Sequence, residues 1–522
     1  FPVIGRAEGI RPRRISIVLI AIDHNSHLGY FAHNGTAADL FTLRRSLTRP
    51  PMQIIDLAIL ATYFVGMLGV GLYFQRRQTG LDEYFVGGRN MGSGHIGLSV
   101  VATDVGGGFS IGLGGLGFVM GLSASWLLFS GLVGAWLAAV LLVPKVKTVG
   151  ATYRHRSYPD FLAHRFGGPT AIVAALVSAI GYAGFTGSQL LAGGKLASAA
   201  FELDLTTAVL TMSVVIVVYT ALGGLQAVVY TDTIQWGILF IGLTLFALPL
   251  GYTDVGGWSG LRTALPPEYF SLTNVTGLQV ATWMVTIVPI WFVAMTLYQR
   301  IHASRDVATA KRAWFVAGLL EYPAMAFIGA TLGMFARVLF PTADPEMGLP
   351  LLIRDVLPVG ATGLILAAYF AAIMSTADSC LLASVGNLVD DIIGTHIAPA
   401  TSERSMLTLS RVLTLIVGFG SVGFALYVPR VIDSILLAYS FMVAGLFFPT
   451  LGALFWRRVS GTAAFWSIVG GGATTVWLTV AGTPLALDPV FYGLGVSAIV
   501  LVVLTFAVPA RSSGVRIQPN PN

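Results

Sequence analysis

The sequence AAIMSTADS, residues 371–379, lies inside an apolar segment that runs from about residue 360 to residue 388. A helix of that length can cross a bilayer, because about 20 apolar residues span the hydrocarbon core. The segment nevertheless contains an aspartate among hydroxyl side chains, namely Ser375, Thr376, Asp378 and Ser379. A charged side chain in hydrocarbon costs about 2.5–3.5 kcal/mol on insertion scales, so the cluster indicates a functional site inside a membrane-spanning helix.

The spacing within this cluster suggests a chemistry. Ala372, Ser375 and Thr376 stand at positions i, i+3 and i+4, and they therefore share one face of the predicted helix. A carbonyl and two hydroxyls on one face are neutral oxygen ligands, which small hard cations prefer. The simpler interpretation is that the hydroxyls bond to the preceding turn and help helices to pack. A single Ser or Thr would favour that interpretation, whereas a cluster with an aspartate inside it favours a cation site.

The composition of the whole chain also fits a membrane protein. Of its 522 residues, 55% are hydrophobic and only 10% are charged, whereas soluble proteins contain about 25% charged residues. The single cysteine, Cys380, excludes an intrachain disulfide. The formal net charge of +6 is explained by basic cytoplasmic loops, and we expect no nucleic-acid partner.

The first 51 residues differ from the rest of the chain. They contain seven arginines and one apolar run, ISIVLIAI, that is too short to span a bilayer. The chain begins with Phe1, whereas Met52 stands just before the first good spanning segment. We interpret residues 1–51 as a non-native or disordered extension, residues 52–510 as the transmembrane domain, and residues 511–522 as a short cytoplasmic tail.

The hydropathy pattern predicts an all-α polytopic membrane protein with about thirteen spanning helices. Their approximate limits are 54–75, 94–120, 124–144, 170–198, 205–222, 224–252, 276–298, 313–340, 358–390, 407–428, 432–456, 462–482 and 488–509. Eighteen Lys and Arg residues lie in one set of alternate loops, and five lie in the other. By the positive-inside rule the bundle starts outside and its C-terminus is cytoplasmic. We expect the protein in the cell (inner) membrane.

Two of the predicted spans carry helix breakers. The second contains Gly106, Gly107 and Gly108 in its middle, and the seventh contains Pro289. The two spans lie five segments apart, and broken helices at corresponding places in two halves point to a transporter built from inverted repeats. The alternative is that Gly and Pro serve only packing, which membrane helices tolerate. The pairing favours a five-plus-five inverted-repeat core that runs from the second to the eleventh span.

Four motifs together resemble the sodium:solute symporter family, which includes proline, pantothenate, choline and sugar symporters. They are LDEYFVGGRNMG (81–92), SVVATDVGGGFSIGLGG (99–115), GGLQAVVYTDTIQ (223–235) and AAIMSTADS (371–379), and the loop YPDFLAHRFGG (158–168) is also similar. The resemblance covers roughly residues 52–460. It implies a leucine-transporter-like fold and a membrane symporter rather than an enzyme.

The resemblance also implies a set of site residues. The sodium site would be formed by the carbonyls of Ala102, Val105 and Ala372 and by the hydroxyls of Ser375 and Thr376. Asp104 would lie near this site, as it does in the proline-type branch, and tune cation binding. The resemblance allows a second sodium ion, held by Asp232, Ser375, Asp378 and Ser379. The alternative for Asp232 is a structural carboxylate that caps a helix end.

The residues after the glycine break bear on the solute. Sugar-transporting members carry polar residues where this chain has Gly108 and Phe109, so a hexose is disfavoured. With Asp104, we expect a pocket that involves Gly108, Phe109, Tyr182, Gln189, Trp291 and Tyr369. Aromatic rings around a small cavity suit an amino acid, a compact carboxylate or a quaternary amine. Glu321 is a further carboxylate in the eighth span, without an assigned role.

These observations predict sodium-coupled uptake of a small organic solute by alternating access, with sodium, solute and bilayer as the partners and no obligatory protein partner. A proton-coupled symporter would keep the fold and titrate Asp104, Asp232 or Asp378. A transporter-like sensor or channel is a second alternative, which the absence of a fused signalling domain weakens. An intramembrane aspartyl protease is a third, but the glycine-flanked aspartate motif that it requires is missing.

Overall fold

The computed structural model describes residues 17–22, 28–33, 52–75, 86–104, 106–223 and 225–508. The first two segments pair as antiparallel strands, β1 (Ile17–Ile22) and β2 (Leu28–His33). They lie within residues 1–51, whose assignment to an extension stays a prediction, as do the other domain limits. Every other regular element among the described residues is helical.

Twenty-one α-helices follow in the described part of the chain. They are α1 (Ile54–Gln75), α2 (Ser93–Asp104), α3 (Gly107–Met120), α4 (Trp126–Leu141), α5 (Val143–Tyr153), α6 (Tyr158–Phe166), α7 (Gly168–Phe201), α8 (Leu205–Gly223), α9 (Leu225–Gly242), α10 (Leu248–Asp254), α11 (Gly257–Ala264), α12 (Gly277–Val293), α13 (Met295–Ala303), α14 (Val307–Leu319), α15 (Ala326–Leu339), α16 (Pro345–Val356), α17 (Ala361–Gly386), α18 (Glu403–Tyr427), α19 (Val431–Phe455), α20 (Gly461–Ala481) and α21 (Pro489–Ala507). Short 3₁₀ turns form at Gly87–Arg89, Gly121–Ser125, Pro267–Phe270 and Pro484–Ala486, and π-helical segments form at Leu243–Ala247, Leu320–Met325 and Asn387–Ile397.

Nine helical stretches of the described chain are long and apolar enough to cross a membrane, and the bent pair α12–α13 would make a tenth. Two shorter apolar helices, Ile54–Met67 and Leu205–Ala221, coincide with two of the predicted spans. The helical, membrane-spanning character is therefore confirmed. The count of thirteen and the inverted repeat stay predictions.

Helix α17 lies at the centre of the bundle. It belongs to the helical stretch Ala361–Ile397, in which 94% of the apolar 18-residue window is buried. In α21 the buried share of the corresponding window is 28%. It packs against α7, α9 and α1, and also against the two neighbouring helices α2 and α3. The polar cluster of α17 is therefore enclosed by protein, which is the arrangement expected for polar side chains at membrane depth.

The predicted interruption at the three glycines is present. Helix α2 ends at Asp104 and α3 begins at Gly107, and between them Gly106 has φ −39° and ψ −175°, outside helical geometry. Carbonyls at the end of α2 consequently lose their helical partners.

The second interruption was predicted at Pro289, and that position is wrong. Pro289 lies inside α12, and the chain leaves helical geometry at Ala294, where ψ is 114° and the axis bends by 43°. Proline removes only its own hydrogen bond, which a membrane helix tolerates when neighbouring groups compensate. A third interruption, at Tyr322 in the π-helical segment, was not predicted.

Candidate functional site

The first functional cluster forms where the end of α2 meets the middle of α17. The hydroxyl of Thr376 donates to the carbonyl of Ala102 at 3.1 Å and to that of Ala372 at 3.0 Å, and Ser375 donates to Ala372 at 3.2 Å. All four residues are buried. Gly106 permits this approach, because a Cβ at its position would collide with Thr376 Oγ1.

The structure thus brings together four of the five residues predicted to hold sodium, and the fifth, Val105, lies outside the described residues. Two carbonyls and two hydroxyls supply neutral oxygens, the donor type that suits a small alkali cation. The hydroxyls also bond within the α17 turn, as the packing alternative requires. A hydroxyl that donates to a carbonyl still keeps lone pairs for a cation, so the two interpretations are compatible.

A second polar cluster surrounds Asp232 on α9. Ser99 on α2 donates a hydrogen bond to Asp232 Oδ2, and the guanidinium of Arg300 forms an ion pair with the same oxygen at 3.5 Å. Arg300 also donates to Ser379 Oγ at 2.9 Å and to Thr103 Oγ1 at 2.5 Å. The side chains of Arg300 and Asp232 are fully buried.

Arg300 is one of the eighteen Lys and Arg residues that the hydropathy pattern assigned to cytoplasmic loops, and its burial was not predicted. It belongs to α13, which continues beyond the bend at Ala294 and is buried along its whole length. Its guanidinium contacts Asp232 and Ser379, two of the four residues predicted to hold a second sodium ion. A sequence signal existed, because YQR follows an apolar run without an intervening turn residue.

Asp378, the third of these residues, faces a different neighbour. Thr220 on α8 donates a hydrogen bond to Asp378 Oδ1, so this carboxylate joins α8 to α17. Lys147 was also counted as a loop cation, but it is buried and donates to the carbonyls of His302 and Ser304.

The residues predicted to bind solute lie in separate contacts, and all of them except Asp104 are buried. The amide of Gly108 donates to Gln189 Oε1 at 3.2 Å, and the hydroxyls of Tyr182 and Thr296 are 3.0 Å apart. The rings of Phe109 and Tyr439 lie 6.2 Å apart, centroid to centroid.

Trp291 packs against Gly134 on α4, and its indole N–H has no partner among the described residues. Tyr369 is fully buried on α17. The hydroxyl of Tyr439 lies 3.5 Å from Asp104 Oδ1 at the end of α2.

A cavity of about 490 Å³ lies between α7, α18, α19 and α20. Its lining is mostly apolar, including Ile180, Val417, Phe424, Phe441 and Val480, and contains none of the predicted solute residues.

A family model, described as the sodium:solute symporter family, matches residues 84–471. Among curated proteins, the chain is 28% identical over 451 residues to the osmoregulated proline transporter OpuE of Bacillus subtilis (strain 168), covering 82% of this chain and 89% of that protein. It is also 28% identical over 471 residues to the sodium/myo-inositol cotransporter 2 of Homo sapiens, covering 80% of this chain and 68% of that protein.

Among solved structures, a Na⁺-coupled sialic acid symporter in a substrate-bound outward-open state matches with a TM-score of 0.73 and 22% identity, over 88% of this chain and 99% of that one. The nucleobase-cation-symport-1 family transporter Mhp1, in a closed conformation, matches with a TM-score of 0.56 and 13% identity. Similarity at these identities shows a shared fold.

Proposed function

The chain belongs to the sodium:solute symporter family, and on that premise we propose that it couples the entry of sodium to the uptake of a small organic solute. It is a membrane transporter and not an enzyme. The solute class proposed from the sequence, an amino acid, a small carboxylate or a quaternary amine, rests on the aromatic residues around the breaks. We place the protein in the cell membrane, with a cytoplasmic C-terminus.

The observation that carries the proposal is the contact between Ala102 on the broken helix and Thr376 on α17. A sodium ion among these oxygens would bridge the end of α2 to α17 and hold the break in one arrangement. Two of the proposed solute residues, Gly108 and Phe109, follow the same break, so ion binding and solute binding would be linked through one structural element. Alternating access would then expose both to the cytoplasm.

The proposed stoichiometry is one sodium ion per solute. A second ion near Asp232 would have to share Asp232 and Ser379 with the guanidinium of Arg300, which already contacts both. One charge moving through 100 mV releases about 2.3 kcal/mol, and a tenfold sodium gradient adds about 1.4 kcal/mol. Together these support roughly 500-fold accumulation of a neutral solute.

The test is the melting temperature of the purified protein in sodium chloride against potassium or choline chloride. Ligands that bind only the folded state raise its stability, so sodium should raise the melting temperature of the wild type. The double variant Ser375→Ala/Thr376→Ala should lose this rise. Ser384→Ala is the matched control, because Ser384 is a buried serine of the same helix that donates to the carbonyl of Ala179 at 2.8 Å, away from the proposed site.

No sodium-specific rise in the wild type at saturating sodium would contradict the proposal. Uptake that follows pH in sodium-free vesicles would then support the proton-coupled alternative. A rise that survives in the double variant would place the sodium ion elsewhere in the bundle.

A further inference from the structure

Glu321 is a buried carboxylate for which the sodium site has no use. It lies in the π-helical segment between α14 and α15, its relative exposure is 0%, and no N–H or hydroxyl group of the described residues donates to its carboxyl oxygens. Transferring an unpaired carboxylate from water to an apolar environment is strongly unfavourable. A side chain of this kind is stable only when it is protonated or paired with another group.

A second carboxyl, that of Asp104 at the end of α2, lies within hydrogen-bonding reach of Glu321. Both approach the same point on α4, where Gly131 leaves room. A Cβ at Gly131 would collide with Glu321 Oε2 and would lie 3.9 Å from Asp104 Oδ2. The hydroxyl of Tyr439, from α19, is 3.5 Å from the other Asp104 oxygen.

Two carboxyl groups in contact cannot both carry a negative charge without a compensating positive charge. Among the described residues, no Lys, Arg or His side chain pairs with either of them; the titratable groups near them are each other, Tyr439 and Cys380. Arg300, the fully buried cation of α13, is directed instead to Asp232, Ser379 and Thr103. The pair can therefore be neutralised in two ways, by one proton that the two carboxyls share or by a cation from outside the chain.

The surroundings distinguish an organic cation from a metal ion. The ring of Tyr439 lies 5.0 Å from that of Phe185 and 6.2 Å from that of Phe109, so an aromatic group adjoins the carboxyl pair. Aromatic faces attract alkylammonium groups, whereas a sodium ion prefers to be enclosed by oxygens. The oxygen-lined position between Ala102 and Thr376 supplies the second kind of environment.

From these contacts we propose that Asp104 and Glu321 bind the ammonium group of the transported solute, with Tyr439, Phe109 and Phe185 around its alkyl substituents. The solute is therefore an amine, a zwitterionic amino acid or a quaternary ammonium compound, and not a simple carboxylate or a polyol. This inference rests on the proposed transport function and narrows its solute class. A bound ammonium group would neutralise the pair, and a proton shared by the two carboxyls would do so in its absence.

The experiment compares matched pairs of compounds that differ in one positive charge. The pairs are choline with 3,3-dimethylbutan-1-ol, glycine betaine with 3,3-dimethylbutanoate, and proline with cyclopentanecarboxylate. Each is titrated into the full-length wild-type protein in sodium chloride, and the melting temperature is recorded. We expect at least one ammonium compound to give a saturable rise in the melting temperature. Its counterpart, in which carbon replaces the charged nitrogen, should give no rise.

Variants connect the effect to the residues. Glu321→Gln and Asp104→Asn should each raise the half-saturating concentration of the active compound by about tenfold or more, since each removes one member of a desolvated charge contact. Asp433→Asn, which removes a half-exposed carboxylate of α19 that pairs with Arg430, is the matched control and should leave that concentration unchanged. A monodisperse elution profile establishes that each variant is folded.

The proposal is overturned by any of three results: no ammonium compound raises the melting temperature, both members of a pair raise it equally, or Glu321→Gln leaves the half-saturating concentration unchanged. A carboxyl pair that simply shares a proton would give the third result. The sodium-dependent rise measured without any solute tests the transport proposal separately. Its presence together with one of these three results would refute the solute class alone.

Discussion

Replacing Arg300 by methionine should destabilise the protein severely, because its guanidinium is fully buried and paired with a buried carboxylate. The substitution keeps an unbranched, apolar side chain and removes the guanidinium. It would leave Asp232 buried at 0% exposure without its ion pair at 3.5 Å, and it would remove donors from Ser99, Thr103 and Ser379.

The magnitude follows from the burial. Removing one partner of a buried ion pair costs about 3–5 kcal/mol, because the other charge stays uncompensated. The double variant Arg300→Met/Asp232→Asn removes both charges, and its remaining loss should be about 1–3 kcal/mol, from hydrogen bonds that are not remade. The double variant should therefore be more stable than Arg300→Met alone.

The assay is equilibrium unfolding in mixed micelles, with the free energy of unfolding compared across the two single variants, the double variant and the wild type. Arg305→Met is the matched control, because Arg305 is 67% exposed and its ion pair with Asp306 should contribute less than about 1 kcal/mol. A loss below about 1 kcal/mol for Arg300→Met, or additive losses in the double variant, would refute the buried-pair reasoning.

Two further measurements test packing and charge. Gly333→Ala on α15 should destabilise the protein by about 1–3 kcal/mol, since its Cβ would press on the backbone of Gly114 and Phe118. Gly237→Ala is the control and should not destabilise it, because no atom lies within 4 Å of the added carbon. Equal melting temperatures for the two variants would contradict the close helix contact. Burial, reinforced by the nearby charge of Arg89, lowers the pKa of Lys147 to about 8, so the folded protein releases this proton before the unfolded chain does. Between about pH 8 and 10 the free energy of unfolding of the wild type should therefore rise relative to that of the variant Lys147→Met, by at most about 1.4 kcal/mol per pH unit. Free energies of unfolding that change in parallel with pH in the two proteins would contradict the lowered pKa.

Features that depend on local pattern could be predicted from the sequence. Long apolar segments identify lipid as the solvent, the i, i+3, i+4 spacing of Ala372, Ser375 and Thr376 puts three oxygens on one helix face, and consecutive glycines predict the break after Asp104. Hydropathy, helical period and backbone propensity act over a few residues, so the sequence contains them directly.

Contacts between groups that are distant in the sequence could not be predicted without the packed helices. Three features depend on how the helices pack. They are the bend at Ala294 rather than at Pro289, the burial of Arg300 against Asp232, and the contact of Glu321 with Asp104. Glu321 and Asp104 are more than two hundred positions apart in the sequence. The hydropathy of a segment does not predict which neighbouring helix its polar side chain will contact. An arginine after an apolar run is consistent with a loop in the sequence. Arg300 is buried in the interior because its charge is compensated by Asp232, which belongs to a different helix.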